Sequence, residues 1–263
     1  MIERCLAAGS GHVRCDEGLE RDTPHSDRRG RDARAATPMS PRRHDPRMRP
    51  ALVDIAARLL REEGPQALTA RRLAAEAGCS TMVVYTYFGG MSGLVREVVH
   101  EGFARLQSYF NRVAITEDPV ADMALLGRAY RLNAHANPHL YAVMFGAASL
   151  AGFSLSETDR QHGRYTLMNV VHCAHRCVRA RRFTADDAEL VAHQMWTAIH
   201  GLVTLELGAY LVAPYDADVC FEAQLVALMV SVGDTREAAS RSVATSLERQ
   251  GTEVRAAPGQ TVR

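Results

Sequence analysis

The residues with the most chemistry to offer lie between Thr69 and Tyr87. Thr81, Met82, Val83, Tyr85, Thr86 and Tyr87 gather hydroxyls, methyl groups and phenols within seven consecutive positions, Thr69 adds a hydroxyl upstream, and Arg71 and Arg72 add guanidinium groups. Such groups can meet base edges and phosphates in the major groove of DNA. A hydroxyl at a helix start, with its free backbone N–H groups, is also a place where a phosphate can sit. The same run would serve as a short amphipathic connector in a helical bundle, so residue type alone does not separate the two readings.

Other constellations carry less. His172-Cys173-Ala174-His175-Arg176-Cys177 puts thiols and imidazoles on one stretch, but Cys173 and Cys177 share a helical face that the histidines only partly join. Buried small thiols are the plainer reading, and no metal or cofactor is expected. His193 and His200, with Trp196 between them, suit a core or a pocket better than a metal. No GxSxG, HExxH, P-loop or GxGxxG signature occurs, and no paired carboxylates sit on an apolar face, which argues against an enzyme.

Positioning these residues takes helices. Leu52, Ile55, Ala56, Leu59 and Leu60 recur at helical spacing before Gly64-Pro65, which predicts a helix over about 50–63. Thr69 caps a second, over about 70–77, ended by Gly78. Ser80 opens a third over 81–88; Val84 and Phe88 point one way, Met82 and Thr86 the other, and Gly89-Gly90 close it. A longer helix follows from Met91, and further ones are predicted at about 117–136, 138–145, 157–181, 185–212 and 217–233. Nothing in this span reads as a sheet.

The chain has 263 residues, 47% hydrophobic and 23% charged, with a net charge of +1, so any basic surface must be local. The apolar part of the longest uncharged run is too short for a membrane span, the N-terminus has no secretory apolar stretch, and the six cysteines show no disulfide framework. A cytoplasmic location without a membrane partner is expected. Residues 1–46 are polar and unpatterned, which predicts a disordered extension. Arg42, Arg43, Arg47 and Arg49 near its end could form a DNA-reaching arm or simply a solvated tail.

Residues 50–95 resemble the DNA-binding domain of tetracycline-repressor-type (TetR) transcriptional regulators. The resemblance rests on a first helix ending in Gly64, on Leu68-Thr69, on Leu73-Ala74 followed by Ala77-Gly78, and on Tyr85-Thr86-Tyr87-Phe88, in order and at family spacing. A second stretch, Asn137-Pro138-His139-Leu140-Tyr141-Ala142-Val143-Met144-Phe145-Gly146 with Trp196 and His200-Gly201, resembles the C-terminal domain of the branch marked by Trp and His-Gly (WHG-type). The resemblance implies an all-α fold, with a three-helix DNA-binding domain containing a helix-turn-helix over 47–95 and a helical effector-binding and dimerisation domain over 96–233. Residues 234–263 would form a partly disordered tail, although Thr235–Arg249 could extend as helix.

For the site, the resemblance implies Thr69 and Tyr87 on phosphates, and Arg71, Thr81, Met82, Val83, Tyr85 and Thr86 on or near the groove. Family members commonly carry Lys where this chain has Met91. The implied partners are a double-stranded DNA operator, a second copy of the chain and a small-molecule effector, and the implied function is a repressor released by that effector. Pockets need aromatic and Met surface with a few polar groups, so Tyr130, His135, Tyr141, Met144, Phe145, Met168, His172 and Trp196 are candidate lining residues. Trp196, Leu202, Phe221, Leu225 and Leu228 are candidates for the dimer interface, because the last two predicted helices carry more apolar residues than one buried stripe needs. Gly89, Gly90 and Gly93 predict a loose joint at the start of the long helix.

Overall fold

A computed structural model describes residues 45–145 and 156–255. Ten α-helices and no strand occur among the described residues. The extension expected over 1–46, with Arg42 and Arg43, lies outside them apart from Asp45 and Pro46.

The first three helices form a small cluster: α1 (Met48–Glu62), α2 (Ala70–Glu76) and α3 (Thr81–Phe88). Leu52, Leu59 and Leu60 of α1, Leu73 of α2 and Val84 of α3 are buried in one shared core. The Thr69 hydroxyl accepts the Arg72 N–H at 3.2 Å and so starts α2. At the end of α3, Gly89 takes a left-handed conformation (φ +68°) and donates its N–H to the Tyr85 carbonyl at 2.9 Å.

The long helix α4 (Met91–Phe110) runs from this cluster into the second one. That comprises α5 (Pro119–Ala136), α6 (Pro138–Met144), α7 (Glu157–Arg179), α8 (Ala188–Leu207), α9 (Ala217–Ser231) and α10 (Arg236–Glu253). α6 packs on both α1 and α4 and so touches both clusters. None of the described helices is long and apolar enough to cross a membrane.

Two expectations need correction. Residues 234–253 are no tail: α10 lies along α5, with Ala239, Val243 and Val254 buried. Arg249 reaches Asp122 of α5 at 2.7 Å, and Arg128 of α5 reaches Ser246 at 2.8 Å. The sparse apolar spacing of α10 understated its attachment, which is largely polar and ionic. The glycine-rich joint is also not loose. A Cβ on Gly93 would stand 3.0 Å from the Phe88 carbonyl carbon and closer still to its oxygen, so α4 abuts the end of α3.

Candidate functional site

The outward face of α3 is built by burying its opposite side. Val84 is fully buried, which turns Thr81, Met82, Tyr85 and Thr86 to solvent; Met82 is 66% and Tyr85 52% exposed. Arg71 is exposed on α2 and forms no ion pair among the described residues. Its neighbour Arg72 is held by Glu76 at 2.6 Å and by Glu63 at 3.0 Å. Thr69 is exposed, and its hydroxyl proton is still available to an acceptor although its oxygen caps α2.

Three residues that were candidates for contact with DNA are engaged elsewhere. Val83 is half-buried against the core. Tyr87 is half-buried and donates its hydroxyl proton to the Asp45 carbonyl at 3.0 Å, leaving no proton for a phosphate. Arg49 pairs with Glu97 of α4 at 2.9 Å and lies over the Phe88 ring, whereas Arg47 is exposed.

The second feature is a half-open cavity of about 590 Å³ lined by residues of α4 to α9. Its walls are mostly apolar, with Phe103 and Phe110 of α4, Met123 of α5, Met195 of α8 and Met229 of α9. Tyr130, Met144, Phe145 and Trp196 line it as expected. Tyr141 stands just behind, its ring centroid 5.3 Å from that of Phe145. Tyr130 and Tyr141 both meet His200 Nδ1, at 2.9 and 2.7 Å. Burial pushes the His200 pKa down and the phenol pKa values up, which keeps the group uncharged.

His135, Met168 and His172 do not reach the cavity. His135 is exposed and pairs with Glu206 at 2.8 Å, and Met168 and His172 lie on the outer side of α7. Residue type had suggested them, but helix phase turned them away. Arg160 and Arg164 line the cavity unexpectedly, and His193, which suited a core or a pocket, lines it too. Their helical register with Gly163, Leu167 and Trp196 was the available signal.

The expected dimer contacts are corrected too. Phe221, Leu225 and Leu202 are buried within the monomer, and Leu225 and Trp196 line the cavity, while Leu228 is half-buried against the core. The apolar surplus of α8 and α9 serves the cavity and α5. Exposed on these two helices instead are Leu190, Gly201 and Leu205 of α8 and Val219, Ala223 and Ala227 of α9. Cys173 and Cys177 are buried, and no cluster able to hold a metal occurs among the described residues.

Two family models match. Residues 52–98 match the model described as bacterial regulatory proteins, tetR family, and residues 123–228 the tetracyclin repressor-like C-terminal domain; together they span more than half of the chain. No curated protein matches. Among solved structures, a protein of unknown function from Rhodococcus sp. RHA1 is 24% identical, with a TM-score of 0.62 over 74% of this chain and 99% of that one. A tetR-family regulatory protein from Rhodococcus RHA1 is 16% identical, with a TM-score of 0.61 over 73% and 100%. The TetR-family regulator PfmR from Thermus thermophilus is 16% identical, with a TM-score of 0.55 over 68% and 97%. These likenesses show a shared fold. With both family models placed on consecutive parts of one all-helical chain, the protein belongs to the TetR family of DNA-binding transcriptional regulators, which are not enzymes.

Proposed function

We propose that the protein is a homodimeric repressor that sets α3 of each subunit into the major groove and leaves its operator when a mainly apolar small molecule fills the cavity. The observation that carries this reading is the outward face of α3, where Thr81, Met82, Tyr85 and Thr86 stand clear of a core that Val84 anchors. Thr69 and Arg71 lie where they can add phosphate contacts.

One such unit reads only a few base pairs, and a two-fold partner supplies the second half-site about 34–36 Å away. The exposed stripe of small and apolar residues on α8 and α9 suits a four-helix contact between copies. The walls of the cavity favour an apolar effector body, and Arg160, Arg164 and His193 supply its few polar groups.

Release follows from what the cavity touches. Met144 and Phe145 end α6, and α6 rests on α1 and α4. Arg105 of α4 fastens the junction, reaching Asp54 of α1 at 2.9 Å and Asn137 at 2.8 Å. An effector that moves α6 therefore acts on α1 and α4 together, and a small shift spoils the half-site spacing.

Footprinting of the full chain on the promoter next to its own gene tests the reading. Protection of two half-sites one helical turn apart is expected; no protection at moderate salt would overturn it.

A further inference from the structure

The face that α3 presents contains no group able to make a paired hydrogen bond to a purine. Thr81, Met82, Tyr85 and Thr86 include no guanidinium, ammonium or carboxamide, and α3 as a whole has none. The hydroxyls are partly committed as well, because Thr86 donates to the Met82 carbonyl at 2.8 Å. The bidentate contacts by which Arg or Lys reads guanine and Asn or Gln reads adenine are thus unavailable on this helix.

What the helix does offer is apolar reach. Met82 is its most exposed large side chain, at 66%, flanked by threonine methyls and by the Tyr85 ring. In the major groove the matching feature is the C5-methyl group of thymine, the one apolar projection among the four base pairs' edges. Resting on the docking of α3 proposed above, we propose that the helix reads its operator through thymine methyl groups, with Met82 seating one in each half-site. Cytosine at that position carries a hydrogen in place of the methyl and would lose the contact.

The test replaces each operator thymine in turn by deoxyuridine, which removes only the methyl, and measures binding of the full chain. At the thymine that Met82 meets, binding should weaken about fourfold per half-site, the worth of one buried methyl-sized group. In Met82→Ala the same replacement should change nothing, and Met82→Leu should restore part of the sensitivity. Because Met82 is exposed, neither variant should alter folding. Insensitivity of the wild type at every thymine would overturn the proposal, as would full sensitivity retained in Met82→Ala. Loss of affinity on 7-deazaguanine substitution, without any deoxyuridine effect, would assign reading to Arg71 and also overturn it. A chain that binds no duplex at all would overturn the docking of α3 itself, an outcome distinct from these.

Discussion

Gly93→Ala gives the sharpest test of how the recognition helix is held. The new Cβ would overlap the Phe88 carbonyl oxygen, and backbone cannot swing aside as a side chain can. Overpacking costs about 1–3 kcal/mol, and a backbone obstacle belongs at the upper end. Replacing glycine in a helix returns up to about 1 kcal/mol, leaving a net loss of about 2 kcal/mol. For a chain of this size that is a fall in Tm of roughly 4–8 °C. The strain falls on the α3–α4 joint, so α3 should shift and operator affinity should drop about tenfold or more, while helix content by circular dichroism stays unchanged. Gly251→Ala in α10 is the control, since its Cβ meets open space and should leave stability unchanged or slightly raised. Unchanged Tm and unchanged operator affinity in Gly93→Ala would refute the reasoning.

Ala223→Arg places a charge on the exposed stripe of α9 and should convert the proposed dimer to monomer in sedimentation, with the monomer's Tm little changed. Arg105→Ala should leave effector affinity nearly intact while shrinking the effector's influence on operator binding, because α1, α4 and the start of α6 lose their common tie; titrations of each ligand with and without the other measure this, and a wild-type tenfold coupling is about 1.4 kcal/mol by the reciprocity of binding. Asp159 caps α7, and although burial raises its carboxyl, Ser156, His100 and Arg96 outweigh that and hold its pKa at about 2. A lowered carboxylate pKa stabilises the fold above the usual range near 4 and loses that contribution as pH falls toward 2, so Asp159→Asn should flatten this part of an acid-unfolding curve.

Local signals made much of the chain legible before any packing was known. The start of α2 at Thr69, its end at Gly78 and the end of α3 at Gly89 follow from those residues, because caps and left-handed turns depend on neighbours in sequence. Periodicity likewise separated the buried Val84 from the exposed Met82 and Thr86. The helical class, the order of the helices and the face that α3 shows were all written in such short-range patterns.

Which surfaces meet was not. Tyr130 and His135 lie on one helix and are equally plausible in a pocket by type, yet Tyr130 lines the cavity while His135 pairs with Glu206 outside it. Leu225 suited an interface until α5, α8 and α9 closed around it. Arg249 gave no periodic signal, and its bond to Asp122 spans 127 positions of sequence. A helix's own sequence records that it has an apolar face; whether that face meets a neighbouring helix, a cavity or a second subunit depends on distant segments, and only their packing settles it.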